Sequence, residues 1–165
     1  MGKPEEKPRR LYYKTYLQVI RNSVGSNIFR NFYVTTSGKD EFDALNDGQD
    51  ACAFYVSSIL VIFRKISAVH GLVERVIEDM RQSGWSAVSE PEIGDVLVWE
   101  GRDDTAGKTH IGFYVGNNKA ISNSSIQKTP IEHDMNFGKM NRKIIHILRM
   151  ENWEDNRPSV SGGPR

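Results

Sequence analysis

Residues 49–65 read QDACAFYVSSILVIFRK. Behind the turn signal Asn46-Asp47-Gly48, the side chains of Cys52, Tyr55, Val56, Ile59, Leu60 and Phe63 recur at spacings of 3, 4, 7, 8 and 11 residues. That is the apolar stripe of an α-helix, and a stripe this apolar belongs against a core. The spacing therefore predicts a buried central helix over residues 49–65, around which the rest of the chain is arranged. Upstream, Tyr13, Tyr16, Leu17 and Ile20 follow the i, i+3, i+4, i+7 pattern of a first helix, which Gly25 interrupts. Downstream, Leu72, Val73, Val76, Ile77 and Met80 line one side of a helix over residues 71–83, with Gly84 as its stop.

From Glu92 the period changes. IGDVLVW (93–99), HIGFYVG (110–116), KAIS (119–122) and KIIHILRM (143–150) are short β-rich runs. Turn chemistry separates them at residues 101–107 and at Gly116-Asn117-Asn118, and residues 31–39 (NFYVTTSGK) add one short extended segment. Helices first and strands afterwards predict an α+β domain, with N-terminal helices and the central helix packed on a C-terminal antiparallel sheet.

Composition narrows the function classes. The 165 residues carry 22 Lys+Arg against 21 Asp+Glu, a net charge of +1, so there is no broad electrostatic footprint for a nucleic-acid duplex or an anionic membrane. With 38% apolar residues a chain of this length can bury a core unaided. A single cysteine, Cys52, excludes an internal disulfide and any multi-cysteine metal cluster. No run approaches the ~18 apolar residues of a membrane span, and MGKPEEKPRR at the start has no signal-peptide core, which makes the cytoplasm the expected location. The organisation expected is a polar tail at residues 1–10, one domain over 11–153, and a second polar tail (EDNRPSVSGGPR) at 154–165.

Cys52 falls in the first turn of the central helix, where unpaired N–H groups and the helix dipole favour an anion and draw a thiol toward the reactive thiolate. A buried cysteine that merely fills the stripe is the competing reading. His110 opens a strand after a polar loop, a rigid mounting for a general base. An imidazole there needs a neighbour to orient it, and the candidate depends on the hairpin. A two-residue turn at Asn117-Asn118 pairs Gly112 with Asn123, whereas a three-residue loop pairs it with Ser122, so both are retained. His133, flanked by Glu132 and Asp134, is a reserve candidate for a third catalytic or substrate-binding group. His70 and His146 read as structural or solvated, and Asp95 as a carboxylate capping the turn before its strand.

Taken in order, DACAFYVSSIL (50–60), PEIGDVLVWE (91–100) and HIGFYVGNNKAIS (110–122) resemble the NlpC-type cysteine peptidases, members of the papain-like superfamily that act on bacterial cell-wall peptides. The resemblance covers about residues 46–122. It implies a papain-like fold in which Cys52 is the nucleophile, His110 the base, and a third polar residue on the next strand the orienter of the imidazole. That third position falls on Ser122, where the family commonly carries His, Asn or Gln. The family's Asp-Cys-Ser-Gly is replaced by Asp50-Ala51-Cys52-Ala53. Substrate contacts are expected from His133, Gln49 and Trp99, and a second oxyanion donor from Gln49, Tyr13, Tyr16 or Tyr33.

These readings imply a cysteine peptidase or amidase working through a thioester, with no cofactor and no metal. Its partner would be a peptide substrate, with bacterial cell-wall peptides first. Two other readings stay open: an inactive binding module that keeps the cleft, and a nucleic-acid or protein interaction domain using the basic cluster at residues 139–143, which includes Arg142. The oligomeric state is not legible.

Overall fold

The computed structural model describes residues 8–38, 40–102 and 107–153. The expected tails fall outside these residues, apart from residues 8–10. Among the described residues three α-helices precede a six-stranded sheet, so the α+β class holds. Helix α1 (Tyr12–Asn22) buries Tyr16 and Ile20, the inner side of its predicted stripe. An exposed two-stranded hairpin follows, β1 (Tyr33–Thr36) against β2 (Asp40–Asp43). Its second strand, DEFD, carries too little β-forming character to be read from sequence.

Helix α2 (Cys52–Ile62) begins at the cysteine, three residues inside the predicted start, and buries Ala53, Tyr55, Val56, Ser57, Ile59 and Leu60. It is apolar around most of its circumference because β5 and β6 cover one side and α1 and α3 flank it. Helix α3 (Val73–Gln82) is amphipathic and ends at Ser83, with Gly84 in the left-handed conformation (φ +95°) that its position after the cap requires.

The sheet consists of β3 (Ser86–Ala87), β4 (Val96–Trp99), β5 (His110–Gly116), β6 (Lys119–Asn123), β7 (Pro130–Asp134) and β8 (Ile144–Arg149). They lie in the order β3-β8-β4-β5-β6-β7, every neighbouring pair antiparallel. Strand β7 falls outside the β-rich runs legible in the sequence. Its inner neighbour is β6 and it forms the sheet's edge, so its alternating polar residues meet solvent.

The two faces of the sheet have different coverings. Val96, Val98, Ile111, Phe113, Ile121 and Leu148 face the helices in the main core, where each fully buried aliphatic side chain contributes roughly 1.5–3 kcal/mol. Leu97, Trp99 and Ala120 face the other way and are covered by Tyr114, Met135, Phe137, Ile144 and Ile147. Strand β4 is thus buried on both sides. Asp95, at its start, accepts the Glu92 N–H at 2.8 Å as the turn-capping reading requires, and pairs with Arg149 of β8 at 2.7 Å. None of the described helices is long and apolar enough to cross a membrane.

Candidate active site

The loop that delivers Cys52 is built from left-handed residues. Asn46, Asp47 and Gly48 have φ of 49°, 55° and 87°. Side chains fix this conformation: Asp43 accepts the N–H groups of Phe32, Leu45 and Asp47 at 3.0, 3.0 and 2.8 Å, and the Asn31 amide at 2.8 Å. Burial pushes the Asp43 carboxyl up, but these donors outweigh it and bring its pKa to about 2. Arg30 forks onto Asp47 at 2.7 and 2.9 Å. A Cβ at Gly48 would stand 2.9 Å from the Lys128 carbonyl oxygen, so both its torsion and its surroundings call for glycine.

Asn123 completes the clamp. Its amide donates to the Gly48 carbonyl at 2.8 Å, and the residue is 2% exposed. It therefore holds the cysteine loop and does not orient His110, which corrects one of the two sequence candidates.

Hairpin geometry explains why. Gly116 pairs with Lys119 across the two-residue turn Asn117-Asn118, both at positive φ (52° and 56°), but the register then shifts between Tyr114 and Gly116. One extra residue in β5 brings Gly112 opposite Ser122. The turn has two residues, and the bulge reverses the assignment that such a turn alone would give.

Ser122 joins two histidines on the face away from α2. His110 Nε2 lies 2.8 Å from Ser122 Oγ, and Ser122 Oγ lies 2.7 Å from Nε2 of His133. His133 Nδ1 in turn lies 2.8 Å from the Asp134 carbonyl oxygen. Gly112 makes room for this, since a Cβ there would stand 2.7 Å from the Ser122 Cβ. Aromatic rings fix the imidazole planes: Phe137 stacks on His133 at 4.0 Å and 20°, and Trp99 lies 5.6 Å from His110 and 5.7 Å from His133. Trp99 is fully buried and donates its indole N–H to the Met135 carbonyl at 2.8 Å. It is the floor beneath the histidines rather than a surface for substrate, contrary to the sequence reading.

Cys52 is partly exposed at the N-terminus of α2, whose cap residue Ala51 provides no side-chain hydrogen bond. Burial of the thiol pushes its pKa up to about 11. The backbone N–H groups of Ile111 and Ala53 and the charge of Arg142 pull against this, and Asp50 adds to it. The expected depression by the helix terminus is therefore overridden. The Ile111 amide is the one that follows His110, so the thiol sits against the head of the strand that carries the imidazole. No hydrogen bond joins thiol and ring among the described residues. His110 is pushed down to about 3 by burial first, then by the positive charge of Arg142 and by His133.

Arg142 is only 8% exposed, donating from Nε to the Glu100 carbonyl at 2.8 Å and from Nη2 to the Lys108 carbonyl at 2.9 Å, with its guanidinium over the Phe137 ring. It turns into the site instead of joining a basic surface, which removes the central charge from the cluster at residues 139–143. Sequence reading missed both this and Phe137. His133 stands opposite Ala120 and within reach of Ser122 because PIEHD pairs with β6 as a strand.

The remaining candidates lie elsewhere. Gln49 is exposed in the cysteine loop, and its side chain is not hydrogen-bonded among the described residues. The phenols of Tyr13 and Tyr16 donate to the carbonyls of Ile93 and Gly94, and Tyr33 is 69% exposed on β1, so none is placed as an oxyanion donor. His70 is bound to Asp79, and His146 lines a groove with Glu74, Ile77 and Arg81 of α3. No family model matches the chain, and no curated protein matches it.

Proposed function

We propose that the chain is a cysteine hydrolase, a peptidase or amidase of the NlpC-type papain-like kind. The observation that carries the reading is the hydrogen-bonded chain His110–Ser122–His133 across β5, β6 and β7, which begins at the head of β5, where the Ile111 amide meets the Cys52 thiol at a helix N-terminus. The resemblance of residues 46–122 supports it and directs attention to amides in bacterial cell-wall peptides as substrate.

The thiol and imidazole are both neutral at rest, because burial raises one pKa and lowers the other. Attack and deprotonation are then coupled. As Sγ bonds to the substrate carbonyl carbon, its proton passes to Nδ1 of His110, and the carbonyl oxygen becomes an oxyanion. The backbone N–H groups at the start of α2 and the nearby positive charge of Arg142 stabilise that oxyanion. The C–N bond breaks as His110 returns the proton to the leaving amine, which leaves a thioester on Cys52. Water, deprotonated by His110, then releases the carboxylic acid and restores the thiol.

The test combines turnover with labelling. The wild type should release amine from cell-wall peptide fragments, and Cys52→Ala and His110→Ala should each lower kcat by about 10⁴-fold or more while the circular dichroism spectrum is retained. Iodoacetamide should label Cys52 faster in wild type, where His110 takes the proton as the sulfur attacks, than in His110→Ala at neutral pH. Absence of turnover together with equal labelling in the two proteins would overturn the proposal in favour of a binding module, the reading that the missing thiol–imidazole hydrogen bond favours.

A further inference from the structure

We infer that the orienter of His110 is a two-residue relay, Ser122 plus His133, whose direction is set by the backbone carbonyl of Asp134. The inference rests on the hydrolase reading for its catalytic meaning, and on geometry alone for the proton positions.

A serine hydroxyl by itself does not choose a histidine tautomer. It can accept from an Nε2–H or donate to a bare Nε2, and rotation about its C–O bond exchanges the two. A carbonyl oxygen only accepts. His133 Nδ1 lies 2.8 Å from the Asp134 carbonyl and must therefore carry its proton; two lone pairs facing each other at that distance would repel. In the neutral ring Nε2 is then an acceptor, and its partner at 2.7 Å, Ser122 Oγ, donates to it. With its single proton committed, Oγ can only accept from His110 Nε2 at 2.8 Å. That places the His110 proton on Nε2 and the lone pair on Nδ1, the nitrogen required to take the thiol proton.

His133 stays neutral in this arrangement because burial lowers its pKa, against the opposing pull of Asp134. Its position is fixed by pairing of β7 with β6, where it faces Ala120, and by the Phe137 ring stacked on it. Ser122 is 1% exposed, so water does not compete for its hydroxyl. His133 is thus a positioning residue acting through Ser122, and replacement of a direct orienter by serine on β6 is completed by an imidazole one strand further out.

Histidine side-chain nitrogen NMR on the full chain reads the tautomer directly, without substrate. Wild type should show His110 protonated at Nε2 and His133 protonated at Nδ1. His133→Ala should leave His110 as a mixture of tautomers and lower kcat about tenfold to a hundredfold, with KM changed little. His133→Gln, whose amide oxygen can accept from Ser122, should restore both the single tautomer and most of the lost kcat.

A wild-type His110 carrying its proton on Nδ1 would overturn the relay, and so would an unchanged tautomer and kcat in His133→Ala. The two readings fail separately. A single Nε2–H tautomer that becomes mixed in His133→Ala, in a protein without turnover, supports the relay and removes the hydrolase. Turnover that survives His133→Ala with its tautomer unchanged removes the relay and leaves the hydrolase.

Discussion

His70 and His110 each engage a buried acceptor through Nε2, at 2.7 Å to Asp79 and at 2.8 Å to Ser122, but only one acceptor carries a charge. Asp79 also accepts the N–H and hydroxyl of Ser67, the Ala68 N–H and the Ser83 hydroxyl. Burial pushes its carboxyl up, and these donors outweigh that and hold it well below the usual carboxylate range. The His70 backbone is also fixed, with its N–H donating to Ser57 Oγ at 2.9 Å. The carboxylate–imidazole pair, the arrangement most associated with catalysis, is here a knot tying α3 to the segment after α2. Where the thiol lies, the hydrogen-bonding partner is a neutral hydroxyl, and burial with the charge of Arg142 keeps the imidazole uncharged.

Exchanging the damage is the strongest way to break this contrast. Asp79→Ala strands several buried donors and should cost about 3 kcal/mol of stability, read as a lower urea midpoint, with kcat per folded molecule unchanged. His110→Ala should do the reverse, abolishing turnover with a smaller shift in midpoint. Loss of turnover per folded molecule in Asp79→Ala would place the two histidines in one functional network and end the distinction.

Gly112→Ala sharpens it from the catalytic side. The added methyl meets the Ile121 carbonyl oxygen and the Ser122 Cβ, each at 2.7 Å, in the middle of a paired strand, so the serine must move. Overpacking of this kind costs about 1–3 kcal/mol. Turnover should fall well beyond what the stability change explains, and the His70 site should be untouched. Activity retained at the wild-type level would mean that the serine is not needed where it stands.

What could be read beforehand follows from the range of the forces involved. The stripe from Cys52 to Phe63 is a local pattern, as is the helix stop at Gly84, and both stand in the fold. His110 was legible because a strand start after a polar loop is also local. Asn123 against Ser122 was not, since one bulged residue in β5 decides it, and a bulge leaves no mark in a run as uniform as HIGFYVG. His133 depended on β7 finding β6, a pairing across residues 124–129 that no local pattern announces. Arg142 belonged to a charge run whose members do not declare which of them turns inward. The thiol pKa shows the same limit: the helix terminus acts locally, and the burial that outweighs it is tertiary.

Acid stability offers the finest test of the neutral histidine. In the unfolded chain an imidazole titrates near 6.5, whereas burial, with Arg142 and His133, lowers His110 to about 3 in the fold. Between these values the unfolded chain binds a proton that the folded one refuses, so stability must fall as pH falls through that window. One such group contributes a slope of up to about 1.4 kcal/mol per pH unit, and His133, shifted in the same direction, adds to it. Asp43 and Asp79, with lowered pKa values, add the same sign of slope only as pH drops through the carboxylate range below about 4. Urea midpoints measured from pH 7 to pH 4.5 should therefore decline in wild type and decline less in His110→Gln, which has no proton to refuse. Parallel curves for the two proteins would mean that His110 takes up its proton in the fold as readily as outside it, and the contrast with His70 would lose its electrostatic basis.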